Sequence, residues 1–577
     1  MSEPVIFPQG FHEHWLRLQP QRRLARAELG SRLWPGLDTA GRAEARELLR
    51  TAREDLEQQS APDASTPEAG RLTLAQRLID RESVRLERPP RRGELAALAA
   101  TALGPAALAA DAGLVCERLE RLPELWSAAS GEVLGGDPDE GAAAARRLRA
   151  LALHLEIRLG AERNPRPLLE LAELLERQPA AAEPDPAPHP DLDTAGGWER
   201  APLLARLEEE SARAEAELER RAAALCQRLE GRTEAGDAVA RALAQLALDP
   251  PRPEHWAWLQ RGLQADLARF LRRLGLAAEA PEVEAAPGLA PGLVEPRVDA
   301  SGRLLASDLS LPGGAELRDL LAERCHAQLP LLAAREGLPG RAWLLARLRA
   351  GAGSSPAAAV IAALLEPEDL EAWARWAGDW ALRRGWQAGD PRLRLLQARQ
   401  ELRELQLARA DLELVAGVVS PTEARARLEP ALELPPTLFE AAWSDLRRRP
   451  GAAAAASARL LEVREAGRRW RRAARGAGNA DWFHLLAEAA ALPPDWLRRH
   501  LAQQPARGLA WNALPPALVR PAPRPDGLLG EVEERLAALG RIRREDLEAG
   551  REYDAVALTA PESPEAGGEG TDDAPAE

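Results

Sequence analysis

Lysine is absent: all 76 basic residues in the 577-residue chain are arginine. That excludes three chemistries in their usual form. A phosphate loop of the Walker type needs a lysine after its last glycine. A pyridoxal-phosphate enzyme needs one for its Schiff base, and a protein kinase needs one to hold the phosphates. Tyrosine and methionine occur once each, as Tyr553 and Met1, and phenylalanine five times. The shortage of residues with AT-rich codons reads as the base-composition bias of a GC-rich, bacterial genome. The abundance of alanine and arginine is therefore not in itself a functional signal.

β-Branched and aromatic residues are also scarce, which argues against sheet. Leu293–Val298 and Leu304–Leu311, around the turn-like Asp299-Ala-Ser-Gly302, allow at most one small hairpin, and Tyr553–Leu558 is a weaker strand candidate. The three cysteines, Cys116, Cys226 and Cys325, are far apart and form no CxxC pair, which disfavours a disulfide framework or a structural zinc site. Each lies in an apolar helical stretch, where a thiol packs as a small hydrophobe, in keeping with a reducing compartment. The N-terminus has no basic segment followed by an apolar one. The longest apolar stretch, Leu95–Ala110, is broken by Pro105 and falls short of the roughly 20 residues a span needs. The expectation is a cytoplasmic chain without a membrane span.

What the chain does have is helix. Ala, Leu, Arg and Glu lead the propensity ranking, and 3.6-residue stripes recur throughout. Leu204, Leu207, Ala214, Leu218 and Leu225 form an a/d-like seam, interrupted by Ser211 and Arg221, so the helix is expected to pair with a neighbour rather than form a free coiled coil. A second seam runs through Leu395, Ala398, Leu402, Leu405 and Leu412. The fold expected is all-α, built from helical hairpins and bundles with a solenoid-like stack as a variant. It is divided into two or three modules by Pro-rich linkers and ends in a disordered acidic tail. The boundaries are an N-terminal arm with helices at 1–58, a helical module at 71–178, a linker at 179–197 and a long-helix module at 198–276. A second linker at 277–314 precedes a Trp-rich module at 315–515, a C-terminal helix at 529–548 and the tail at 554–577. That tail carries seven acidic residues and no basic one, half of the net charge of −14. No repeat period emerges. One loose tetratricopeptide-like match, a Trp-rich run ending at Gly389-Asp390-Pro391, is a single unit where a stacked array needs three.

Several motifs could carry chemistry. Of the 16 tryptophans, Trp373, Trp376 and Trp380 share a helix face with Leu370. They could stack on bases or sugars, but with so few other aromatics they are read as core. Glu323-x-x-His326 and Asp481-x-x-His484 each place a carboxylate and an imidazole one helical turn apart, the spacing used in bundle di-metal centres. With eight histidines in an acid-rich chain, such pairs arise by chance, so no metal or other cofactor is assigned. His12 and His14 would share a face only on a strand. Gly351-Ala-Gly353 lacks both a third glycine and a preceding strand, so it is read as a loop. Cys325 and His326, being sequence neighbours, diverge on a helix and make no dyad.

The strongest charged feature is basic. Arg447, Arg448 and Arg449 precede a helix on which Arg464, Arg468, Arg471, Arg472 and Arg475 follow one face, with Val463, Ala466 and Trp470 opposite. Such a stripe could grip nucleic-acid phosphates, an acidic protein partner or the chain's own acidic tail. The reading of function that follows is a non-enzymatic scaffold or adaptor acting through helical surfaces on protein partners the sequence does not identify. The alternatives are a nucleic-acid-associated protein using the arginine helix around 459–475, and a helical enzyme of unknown type, with metal dependence as one form.

Overall fold

A computed structural model of the chain describes residues 39–58, 67–87, 112–120, 122–123, 138–159, 165–177, 200–230, 238–247, 255–276, 283–287, 297–298, 304–308, 325–350, 355–365, 370–387 and 389–473, with isolated positions elsewhere such as Phe11, Trp15, Glu323 and Phe483. The linker at 179–197, the C-terminal helix at 529–548, the tail at 554–577 and His12 and His14 all lie outside the described residues.

The architecture is all-α. In chain order the helices are α1 (Thr39–Glu57), α2 (Pro67–Glu87), α3 (Ala112–Glu120), α4 (Pro138–Leu159), α5 (Arg166–Arg177), α6 (Arg200–Glu230), α7 (Ala238–Ala247) and α8 (Trp256–Arg273). After the strands come α9 (Leu329–Glu336), α10 (Arg341–Ala350), α11 (Pro356–Leu364), α12 (Glu371–Arg383), α13 (Pro391–Val415), α14 (Pro421–Leu432), α15 (Pro436–Arg448) and α16 (Ala452–Ala473). Proline in the first turn is a recurrent start signal, because its missing N–H is not needed there. It opens α11, α13, α14 and α15. The start of α14 adds a capping box, with Ser420 and Glu423 satisfying each other's backbone N–H groups.

The one patch of sheet among the described residues lies inside the segment read as the second linker. β2 (Arg297–Val298) pairs antiparallel with β3 (Leu304–Asp308), as the hairpin pattern suggests. The sheet exceeds a hairpin, however, because β1 (Val283–Pro287) joins the other edge of β3 in parallel. Val283 and Leu304 are buried in the same apolar cluster as Leu263, Leu267 and Leu271 of α8, which covers the patch.

α6 and α13 pack along each other and organise the described core. Leu203, Leu207 and Ala214 meet Leu405, Ala408 and Leu412, while Leu218, Ala222 and Leu225 meet Leu395, Leu396 and Ala398. The rising numbers on one helix match falling numbers on the other, so the pair is antiparallel. Both sequence seams are therefore faces of one contact, made across the 277–314 segment. α4 and α5 form a separate apolar hairpin with its own cluster, from Ala99 to Leu175. Among the described residues no helix is long and apolar enough to cross a membrane.

Candidate functional site

The chemistry-bearing groups converge on α13. Asp390 caps its start, accepting from the Arg392 N–H at 2.9 Å, and Pro391 occupies its first position. Down its length, Arg394, Gln397, Arg399, Glu401, Arg403, Glu404, Asp411 and Glu413 each reach a partner, most of them on other elements.

The densest knot joins α9, α12 and α13. Arg335 donates to Glu404 and, at 2.8 Å, to Glu371. Arg375 binds Glu371 at 2.8 Å and Glu404 at 3.1 Å through Nε, and its Nη1 donates to Ser457 of α16 at 2.9 Å. Arg341 completes the knot on Glu371 and on Glu336, the latter at 2.6 Å. Three guanidiniums thus face three carboxylates, all sheltered from water. Burial pulls Arg375 down to about 10, against the attraction of Glu404. Burial works to raise Glu404, but Arg335 and Arg375 outweigh it and hold the carboxyl below its ordinary range.

A second knot ties α12, α13 and α16. Arg464 donates to Asp379 at 2.6 Å and also to Glu401. Asp379 additionally accepts from Gln397. Burial pushes both carboxyls up. At Asp379 the cations Arg464 and Arg383 win and lower it, whereas at Glu401 desolvation wins. Further along, Asp411 is almost fully buried and accepts the backbone N–H of Gly451 at 2.7 Å and of Ala454 at 3.1 Å. It caps α16 from a different helix, while Gly451 makes the turn with φ of 84°. Desolvation raises Asp411 to about 6 despite those hydrogen bonds.

Beside the first knot lies the tryptophan face. Trp373, Trp376 and Trp380 are buried, as the stripe with Leu370 implies. Phe483 packs among them and Trp343, with centroid distances of 4.6–5.8 Å. The Trp373 indole N–H donates to the carbonyls of Pro339 and Gly340 at 3.0 Å. These rings are core.

The residues singled out in the sequence fare differently. Glu323 and His326 do not share a helical turn. Cys325 between them is extended (φ −69°, ψ 161°), and a short 3-10 turn begins only at His326. The Glu323 carboxylate is instead clasped by Arg403 at 2.8 Å and Arg399 at 3.0 Å. Asp481 and His484 lie outside the described residues. No group of three or more His, Cys, Asp or Glu among the described residues is placed to hold a metal ion.

The arginine stripe needs a correction at Arg464. It does not face outward with Arg468, because α16 packs on both α12 and α13, and Asp379 and Glu401 draw its guanidinium inward. Arg468 is exposed. Arg471 and Arg472 continue the helix with side chains outside the description, as is the side chain of Arg448, while Arg475 is wholly outside it. Arg447 is half-buried, and Arg449 pairs with Asp445 at 2.6 Å. The charged spine itself escapes a reading of the sequence. Its one available signal is the alternation of Arg and Glu along both faces of α13, more than a single solvated stripe requires.

No family model and no curated protein matches the sequence. Solved structures do match the fold. One is a candidate lipoprotein of unknown function from Shewanella oneidensis, with a TM-score of 0.59 and 15% identity, over 87% of this chain and 100% of that one. Another is a candidate lipoprotein from Colwellia psychrerythraea, with a TM-score of 0.52 and 14% identity, over 86% and 99% of the two chains. At such identities the likeness establishes a shared all-helical fold and nothing of activity.

Proposed function

We propose that this chain is a helical scaffold that presents surfaces to protein partners. The observation that carries the reading is the use made of the charged groups on α13. Most of them tie α13 to another element, and the same holds for Glu323 and Arg464, which the sequence alone leaves free for chemistry or capture. Ionic ties that fix several helices in one arrangement suit a protein whose product is a shape. Breaking such ties is costly, so the arrangement is specific. Large apolar side chains left in solvent, Leu153 at 59% and Leu169 at 40% exposure on the α4–α5 hairpin, give such a framework contact points.

The test is capture of partners from the native cell with the full chain, beside a Leu153→Glu/Leu169→Glu variant. A specific partner retained by the parent and lost by the variant, with unchanged thermal melting, is expected. Identical recoveries from both would remove this hairpin as the presenting surface. A second reading, nucleic-acid association, is favoured by exposed Arg468 and by a helix that runs on through Arg471 and Arg472. Binding to oligonucleotides that weakens steeply with salt, and less steeply after Arg468→Gln, would promote it. The metal-dependent enzyme reading loses its described pair, because Glu323 is held by two arginines.

The compartment belongs to the same proposal. Free cysteines, two of them buried, support a reducing cytoplasm. The description of both structural neighbours as candidate lipoproteins supports the opposite placement, at a membrane surface through a lipid anchor. Cell fractionation separates the two: recovery in the membrane pellet, released by detergent but not by salt, would overturn the cytoplasmic one.

A further inference from the structure

Arg50 on α1 and Arg213 and Arg220 on α6 each sit beside a carboxylate of their own helix, Glu47 and Glu54, Glu209 and Glu217 respectively. α8 is charged differently. It carries Arg261, Arg269, Arg272 and Arg273 against a single acid, Asp266, which is buried and already engaged by Arg269. Arg272 and Arg273 are exposed and make no hydrogen bond or ion pair with any described residue. Arg261 uses only its Nε, on the Val283 carbonyl at 3.1 Å. In a chain of net charge −14 this helix has a surplus of cations.

The surplus is on one side. At about 100° per residue, Trp258, Arg261, Ala265, Arg269 and Arg272 fall within an arc of about 80°, along about 21 Å of helix. All five are exposed, Trp258 at 46%. The face is open, since a Cβ added at Gly262, one turn on from Trp258, would meet no atom within 4 Å. The other side of α8 holds Leu263, Leu267 and Leu271 and seats the helix on α9 and β3. It also takes in Gln260 and Gln264, both fully buried. The outward arc is left with guanidiniums and an indole, and with no carboxylate, amide or hydroxyl side chain. We infer that this face of α8 lies on an anionic bilayer surface. Guanidiniums pair with headgroup phosphates, and each one near the surface adds to the attraction. An indole, apolar in body with one polar N–H, suits the headgroup level. A base-reading surface adds amides or hydroxyls, or a groove for the strand, and this convex face carries neither. The contact requires no lipid anchor and does not rest on the scaffold reading.

The test is sedimentation of the full chain with vesicles of phosphatidylcholine alone and of phosphatidylcholine with phosphatidylglycerol, at low and at high salt. Binding to the anionic vesicles only, lost at high salt, is expected. Arg272→Gln/Arg273→Gln should weaken it on the order of tenfold. Trp258→Ala should weaken it severalfold at either charge density. Arg177→Gln on α5, whose side chain is 79% exposed, should change nothing. All three variants alter exposed side chains and should melt with the parent. The proposal falls if the anionic vesicles do not bind, or if the α8 variants bind them as the parent does. Equal binding to neutral vesicles would also overturn it, because a basic face has no preference to express there. So would an oligonucleotide that binds more tightly than the anionic vesicles and is released by the same α8 variants, which would give the face to nucleic acid.

Discussion

Where α13 meets α9, α12 and α16, the helices are joined by buried arginines and carboxylates as much as by leucine. Between α4 and α5 the contact is apolar, with the Arg149–Glu176 ion pair lying at its surface. Both regions draw on the same restricted residues. The difference lies in what surrounds them. A two-helix contact buries one stripe on each helix, and Leu and Ala suffice. α13 is covered by α6, α14 and α16 and touches α9, so residues that would be the wet face of a simpler helix are enclosed. An enclosed charge must be paired. Such pairs add little net stability over well-packed apolar residues, but they make incorrect arrangements expensive.

The sharpest way to break this comparison is at Glu404. Glu404→Ala leaves two buried guanidiniums, Arg335 and Arg375, short of a partner. The expected loss lies at the upper end of the roughly 3–5 kcal/mol seen when a buried pair is broken. Glu404→Gln should lose less, because it keeps an acceptor. Denaturant unfolding measures both. A parent-like midpoint for Glu404→Ala would mean that the knot is not a tie at all, and would undercut the scaffold reading.

The next effect belongs to the apolar region. Leu171 is fully buried between α4 and α5, and Leu171→Ala should cost roughly 3 kcal/mol through lost burial and the cavity left behind. Because the hairpin has its own cluster, hydrogen exchange should accelerate in α4 and α5 while the amides of α13 stay protected. Uniform acceleration would merge the two regions into one cooperative unit. Glu176→Gln, which removes only the exposed ion pair, should leave the melt unchanged.

How far the sequence discloses this follows from what each signal depends on. The Trp373–Trp380 stripe and the Leu395–Leu412 seam are legible because apolar periodicity reports burial directly. The antiparallel partner of α6 is not, since a seam specifies that something is covered and not by what; α13 lies well over a hundred residues away. Helical spacing alone puts Arg464 on the outer face, because an arginine looks solvated until the acids opposite are known. Glu323 and His326 pair only by counting residues along a helix that the extended Cys325 interrupts. β1 is hidden because Val283-Glu-Ala-Ala-Pro287 holds a single β-branched residue, and its pairing comes from β3 and the cover of α8.

A smaller effect than that of Leu171→Ala concerns Asp411, where the charged region adjoins a helix end. Its carboxyl is pushed up to about 6 by burial, from an ordinary 3.8. The groups around it are the N–H donors of Gly451, Ala453 and Ala454 and the Arg449 guanidinium, all of which favour the charged form. Desolvation outweighs them. A folded pKa above the unfolded one means that the folded state holds its proton longer. The stabilising contribution is then complete below about pH 4 and is lost as the pH rises through about 6. A rise of that size corresponds to at most about 3 kcal/mol across the window, and relaxation around the group makes about 2 the better expectation. Asp411→Asn keeps an acceptor for the amides of α16 but cannot ionise. Subtracting its stability from that of the parent at each pH cancels the titration of every other carboxyl. The difference should move against the parent between about pH 4 and about pH 7. If it moves the other way, the amides and Arg449 hold the anion more strongly than burial opposes it. The cap of α16 would then be a charged tie of the same kind as Glu404, and the charged region would extend unbroken to the end of α13.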